Sequence, residues 1–141
     1  SRHEAAIDIT SLALEKTDDF ETNTFRNGIF AVLSEKVYSV FEEDQVFLNP
    51  KLNLSDHARD LGTNRSYLSR YFNNEENKSF FDYVNGYRLR YAESLLSNIE
   101  KTIEVIFEES GFNSVSTFRR VFKSVYGCSP SKFRTKFNRI T

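Results

Sequence analysis

Leu54-Ser-Asp-His-Ala58-Arg-Asp-Leu61-Gly62-Thr-Asn64-Arg-Ser-Tyr-Leu68-Ser-Arg70-Tyr-Phe72 can be laid over Ile103-Glu-Val-Ile106-Phe-Glu-Glu-Ser-Gly111-Phe-Asn-Ser114-Val-Ser-Thr-Phe118-Arg-Arg120-Val-Phe122. Leu54 matches Ile103 and Gly62 matches Gly111 at an offset of 49 residues. Beyond the glycine the offset becomes 50, pairing Asn64 with Ser114, Leu68 with Phe118, Arg70 with Arg120 and Phe72 with Phe122. One extra residue in the second turn accounts for the step. Each stretch reads as a short helix, a turn at glycine and a second helix opened by a capping residue, with apolar side chains four residues apart on its inner side. The chain carries a duplicated helix-turn-helix.

The surrounding sequence extends this pattern. Ser55 is expected to cap the first short helix, with Ala58 and Leu61 facing inward and Gly62 supplying the positive φ that ends it. Asn64 is expected to cap a second helix running to about Asn74. Ser79 then opens a helix to about Ser97, with Tyr83, Val84, Tyr87, Tyr91, Leu95 and Leu96 on its apolar face and Gly86 read as a point of close packing. Its length of ~18 residues corresponds to about 27 Å. Thr102 caps the second unit and Gly127 closes it, while Ser129-Pro130 opens a last helix through Phe133 and Phe137. Upstream, Phe25, Ile29, Val32, Leu33, Lys36, Val37, Val40 and Phe41 recur at helical steps, predicting an amphipathic helix over residues 24–45, closed by Phe47-Leu48-Asn49-Pro50. Residues 1–23 read as a linker or short-helix segment, and residues 46–141 as the domain proper. No stretch alternates as a strand does, so the expected class is all-α: two helix-turn-helix units joined by a long helix and preceded by an amphipathic one.

Composition narrows the functions open to such a fold. The net charge of −1 conceals a division. Residues 1–50 hold 4 Lys/Arg against 10 Asp/Glu, residues 51–141 hold 15 against 10, and no acid follows Glu109. Arg119, Arg120, Lys123, Lys132, Arg134, Lys136 and Arg139 are thus unopposed along the chain, an electrostatic footprint suited to phosphates. A lone cysteine, Cys128, forms no internal disulfide, and with His3 and His57 it makes no metal-ligand spacing. There is no glycine-rich phosphate loop and no carboxylate or Ser/His/Asp constellation for catalysis. The chain is therefore expected to be no enzyme, to need no cofactor and to bind no metal. No apolar run reaches the ~20 residues of a membrane span, and a reducing, cytoplasmic setting fits. With Ser1 at its start and no methionine, the chain reads as a piece of a longer protein.

Taken together, the motifs resemble the DNA-binding domain of the AraC/XylS family of bacterial transcription regulators. The resemblance covers residues 46–137, about two-thirds of the chain. It runs through Ala58-x-x-Leu-Gly62, Ser66-Tyr-Leu-Ser-Arg70-x-Phe72, Ser79-Phe80 to Tyr83-Val-Asn85, Arg88-Leu-x-x-Ala92-x-x-Leu-Leu96, Ser110-Gly-Phe112-x-Ser114, Phe118-x-x-Val-Phe122-Lys123 and Gly127-x-Ser-Pro130-Ser-x-Phe133-Arg134. Phe107 departs from it, standing where the family favours a small residue, so the second unit is expected to pack differently there. The resemblance implies binding of double-stranded DNA to regulate transcription, with RNA polymerase as a further partner.

In this motif the early exposed residues of the second helix meet base edges. Those are Arg65, Ser66, Ser69 and Arg70 in the first unit and Val115, Ser116, Arg119 and Arg120 in the second. Arginine suits guanine O6 and N7, and Val115 a thymine methyl; an arginine there can instead hold a phosphate or an acid at the edge of the core. Phosphates are assigned to Ser55, Ser114, Lys123, Ser129, Lys132 and Arg134, through helix N-termini and flexible cations. Ser114 and Ser129 also have a plain role as caps, Tyr67 and Tyr71 read as packing residues with exposed edges, and His57 as a surface or half-buried residue without a role. Successive major-groove faces lie ~34 Å apart, within reach of two units joined by the 79–97 helix. The competing reading is a protein-interaction module, with residues 24–45 serving a homodimer or a sensor region elsewhere in the parent regulator; for residues 29–43 the favoured reading is a first helix packed on the DNA-binding domain itself.

Overall fold

A computed structural model describes residues 20–140, and the expectations for residues 1–19 lie outside it. Among the described residues seven α-helices follow one another: α1 (Phe20–Glu42), α2 (Leu54–Asp60), α3 (Arg65–Tyr71), α4 (Phe80–Leu96), α5 (Ile103–Glu109), α6 (Val115–Tyr126) and α7 (Pro130–Ile140). A 3₁₀ turn at Val46–Leu48 follows α1, and a π turn at Phe72–Glu76 continues α3. Among the described residues there is no strand, so the all-α reading holds. No helix among them is long and apolar enough to cross a membrane. The chain divides into two compact units, one holding α1 and Leu52–Tyr83, the other Phe47–Lys51 and the chain from Val84 onward. Helix α4 begins in the first and continues in the second.

The first unit is built on an aromatic core. Phe30, Leu33, Val37 and Phe41 form the buried stripe of α1, spaced three and four residues apart. Phe30 packs at a tilt on Tyr67 and edge-on against Tyr71, with ring centroids 5.2 and 5.9 Å away. Phe41 meets His57 and Tyr83 edge-on at 5.5 and 4.9 Å. Helix α1 is thus an integral part of this unit's core. Its stripe is rotated from the expected one: Phe30 is inside, whereas Phe25 and Val32 are 43% and 52% exposed. Phe30 stands outside the expected stripe, and its contact with the two α3 tyrosines turns it inward. Lys36, counted in the expected stripe, lies at its edge and donates from Nζ to the Leu61 carbonyl at the end of α2.

In the second unit Leu89, Ala92 and Leu96 of α4, Ile106 of α5, Phe112, and Phe118 and Phe122 of α6 form one buried cluster. Phe133 of α7 packs on Phe122 and Tyr126 at 5.6 and 5.3 Å. Phe107, the departure noted in the sequence, is accommodated half-buried, 6.1 Å from the Phe118 ring. Gly86 is not a close-packing site. A Cβ there would meet only the flexible tip of Arg90.

Arg88 is the buried cation of this unit. Its Nε donates to the Phe47 carbonyl at 2.7 Å and Nη2 to the Asn49 carbonyl at 2.9 Å. Burial lowers its pKa to about 10, so it remains charged at neutral pH. It fastens the Phe47–Lys51 strap, which also lies against the turn between α5 and α6. A Cβ on Gly111, at φ +88°, would run into the Phe47 carbonyl and the Leu48 backbone.

Candidate nucleic-acid interface

Each candidate reading helix is set by a short, doubly capped predecessor. Asn53, extended at φ −138° and ψ 162°, caps α2 by accepting the Asp56 amide at 2.9 Å. Ser55 is the second residue of α2 and is not the cap; Asn53, two residues earlier, takes that role and accepts the amide three residues on, as a serine cap does. Gly62 then turns at φ +78°, with its N–H on the Arg59 carbonyl at 3.0 Å. Asn64 caps α3 by accepting the Tyr67 amide at 2.8 Å. In the second unit Thr102 accepts the Val105 amide, Gly111 turns at φ +88°, and Ser114 accepts the Thr117 amide at 3.3 Å. These are the same devices in the same order.

The duplication continues further than the sequence comparison carried it. Asn77, at φ +55°, stands 50 residues before Gly127, at φ +78°. Ser79 Oγ accepts the Asp82 amide at 3.1 Å, and Ser129 Oγ accepts the Lys132 amide at 3.2 Å. Asparagine tolerates the left-handed conformation better than most residues, which is why it can stand where the second unit has glycine. The two units differ in winding. Helix α6 stays α-helical to Tyr126, whereas α3 gives way after Tyr71 to the π turn instead of continuing to Asn74. Tyr71 donates its hydroxyl to Glu76 Oε1 at 2.8 Å across that turn, and burial, with the Glu76 carboxylate, pushes its phenol pKa up.

Burial divides each reading helix into two arcs. On α3, Tyr67, Leu68 and Tyr71 are buried, the tyrosines completely and without the exposed edges expected of them. Arg65, Ser66 and Arg70 are exposed and Ser69 is half-buried. On α6, Phe118 and Phe122 are buried, while Val115, Ser116, Arg119, Arg120 and Lys123 are exposed. At 100° per residue, Arg65, Ser69, Ser66 and Arg70 sweep about 140° of α3, and Val115, Arg119, Ser116 and Arg120 sweep the matching arc of α6. All eight residues expected at bases therefore lie on the outward side of their helices. Asn73 stands 50 residues before Lys123, on the π turn that follows α3. Asn73 was not singled out in the sequence, and its amide donates to the Ser69 carbonyl at 3.0 Å.

The candidate phosphate ligands are less alike. Lys123 and Lys132 are exposed. Ser114 and Ser129 act as caps, and Ser114 Oγ lies 2.9 Å from Ser116 Oγ. Ser55 is exposed and accepts a long hydrogen bond of 3.4 Å from Arg65 Nη1. Arg134 is half-buried, with Nε on the Leu96 carbonyl at 3.1 Å and Nη2 on the Asn98 carbonyl at 3.3 Å, so two of its donors tie α7 to the end of α4. Arg119 Nη2 lies 3.7 Å from Glu104 Oε1 on α5. Exposed pairs of this kind contribute only ~0–1 kcal/mol, so the guanidinium is easily released.

Residues 57–136 match the family model described as a helix-turn-helix domain. The chain belongs to the AraC-type helix-turn-helix family. Among relatives, the Msm operon regulatory protein of Streptococcus mutans is 36% identical over 83 residues, covering 59% of this chain and 30% of that protein. The TCP pilus virulence regulatory protein of Vibrio cholerae is 30% identical over 129 residues, covering 83% of this chain and 46% of that one. The chain thus spans less than half the length of these two relatives. Among solved structures, the C-terminal domain of the two-component response regulator yesN from Fusobacterium nucleatum superposes with a TM-score of 0.66 at 27% identity, covering 72% of this chain and 97% of that one. A Listeria innocua protein superposes with a TM-score of 0.65 at 29% identity, covering 72% and 93%. Family membership makes this an AraC-type DNA-binding module of transcription regulation.

Proposed function

We propose that the chain binds duplex DNA sequence-specifically through two recognition helices, α3 and α6, set in adjacent major-groove segments. The observation that carries this is the matched pair of outward arcs, each opened by a side-chain cap and each ending in an exposed arginine, Arg70 or Arg120. Arg65, Ser66, Ser69 and Arg70 meet base edges from one helix; Val115, Ser116, Arg119 and Arg120 meet them from the other. Ser55, Ser114, Lys123, Ser129, Lys132 and Arg134 hold phosphates, with Arg134 doing so alongside its fastening of α7. RNA polymerase is the further partner of the bound regulator. Selection from random duplexes tests the reading: it predicts recovery of one asymmetric consensus, and recovery of no consensus would refute it.

A second role is proposed for residues 24–45. Phe25 and Val32, with Ile29 half-buried between them, lie along one side of α1 outside the core stripe. That side suits a homodimer or a sensing region of the parent regulator. Sedimentation equilibrium with Val32→Glu decides for self-association if a dimer of the unaltered chain is lost in the variant.

A further inference from the structure

We propose that Glu104 is a specificity-determining residue that positions Arg119, keeping its guanidinium off phosphates and available to a base edge. The inference rests on the reading of α6 as a recognition helix given above. Glu104 lies in the first turn of α5, and its carboxylate is 71% exposed beside the 49% exposed Arg119 side chain. Arg119, Arg120 and Lys123 stand together on the outward arc of α6, yet among the described residues only Arg119 of the three has a carboxylate within ion-pair distance. The partner comes from the preceding helix, so the pair runs across the motif and is not a contact within one helix.

The duplicated unit supplies the comparison. Ser55 stands at the position of Glu104 and Ser69 at that of Arg119, so the first unit has neither charge. There Ser55 instead accepts from Arg65 Nη1 at 3.4 Å. The second unit thus carries an acid and a cation together where the first has two serines.

An acid beside a groove-reading helix disfavours phosphate placed against it. Arginine without a fixed direction takes a phosphate on any DNA, which adds affinity and subtracts discrimination. A carboxylate alongside biases the guanidinium only weakly, as an exposed pair does, but it repels phosphate placed against it, which penalises complexes in which Arg119 faces the backbone more than those in which it faces a base. On the correct site the guanidinium reaches guanine O6 and N7, or the carboxylate accepts a cytosine N4–H.

The test compares Glu104→Gln, Arg119→Ala and the double variant with the unaltered chain. Each is titrated at several salt concentrations against the selected consensus duplex and a scrambled one, after circular dichroism confirms equal helix content. Glu104→Gln keeps the size of the side chain and removes its charge. It is expected to tighten binding to scrambled DNA about 3–10-fold, to lower the consensus-to-scrambled ratio at least about 5-fold, and to steepen the scrambled-DNA salt slope by about one unit as Arg119 takes a phosphate. In the Arg119→Ala background the same change should leave the slope unaltered. An unchanged ratio and slope in Glu104→Gln would overturn the proposal, as would the same steepening without Arg119. If the unaltered chain bound the consensus no better than the scrambled duplex, the recognition reading would fall and this inference with it.

Discussion

His57 occupies the position in the first unit that Ile106 occupies in the second, 49 residues later, and both are buried. An imidazole in a place shaped for an aliphatic side chain has consequences. It packs between Phe41 and Phe80 at 5.5 and 5.6 Å, and its Nε2 finds no hydrogen-bond partner. Burial lowers its pKa from 6.5 to about 4, against a small opposing pull from Asp60. Above pH 6.5 the ring is neutral whether the chain is folded or not, and its contribution to stability is complete. Between pH 6.5 and 4 the unfolded chain takes up a proton that the folded chain refuses, so stability falls with pH, by on the order of 3 kcal/mol across the window. Urea unfolding of His57→Ile over that range should show a flatter dependence than the unaltered chain; an identical dependence would place the titration elsewhere. The arginines offer a second test at this scale. Arg70→Ala or Arg120→Ala should cost ~1–3 kcal/mol on the selected site and little on random DNA, whereas Lys132→Ala should weaken both nearly equally at one salt concentration. Equal specificity ratios for Arg70→Ala and Lys132→Ala would remove the division between base and phosphate ligands.

At the scale of elements, the two glycine turns of the second unit have different jobs. Gly127 ends α6 at φ +78° with open space where a Cβ would point. Gly111 has both a positive φ and the Phe47–Leu48 backbone against it. Gly127→Ala should therefore cost only the left-handed conformation, about 1–2 kcal/mol, while Gly111→Ala adds displacement of the strap that Arg88 holds and should cost about 3 kcal/mol or more. Thermal or urea unfolding of the pair checks this, and equal losses would mean that the strap yields freely. The same comparison explains what could be read in advance. Glycines, Thr102, Ser114, Asn64 and Ser79 announce helix ends because their roles are local, set by φ or by an amide three residues away. The cap at Asn53 was misplaced by two residues because Asn53 and Ser55 are both good caps and only the fold chooses. The π turn after Tyr71 was invisible, since it depends on packing around Tyr71 and its hydroxyl's bond to Glu76. Arg88 and Arg134 were read, one as a motif position and the other as a phosphate ligand, but their partners are carbonyls 36–41 residues away, beyond any periodicity.

At the scale of the molecule, the all-α order of two repeated units was legible because the same punctuation occurs twice. The outward arcs were legible for a related reason: once the buried positions of a helix are fixed, the rest face out. Charge distribution then sets what binding should look like. With seven cations and no acid after Glu109, engagement of ~5 phosphates predicts a log–log salt slope near −4 to −5, and binding unchanged between low and physiological salt would contradict an electrostatic contribution. The central claim, however, is that two helices of one chain read one DNA. Hydroxyl-radical and methylation-interference footprinting of a single chain on the selected duplex tests it most directly. The account predicts one contiguous asymmetric site with two protected major-groove segments about 34 Å apart on the same face. Protection of a single short segment, or a requirement for a palindrome, would contradict it.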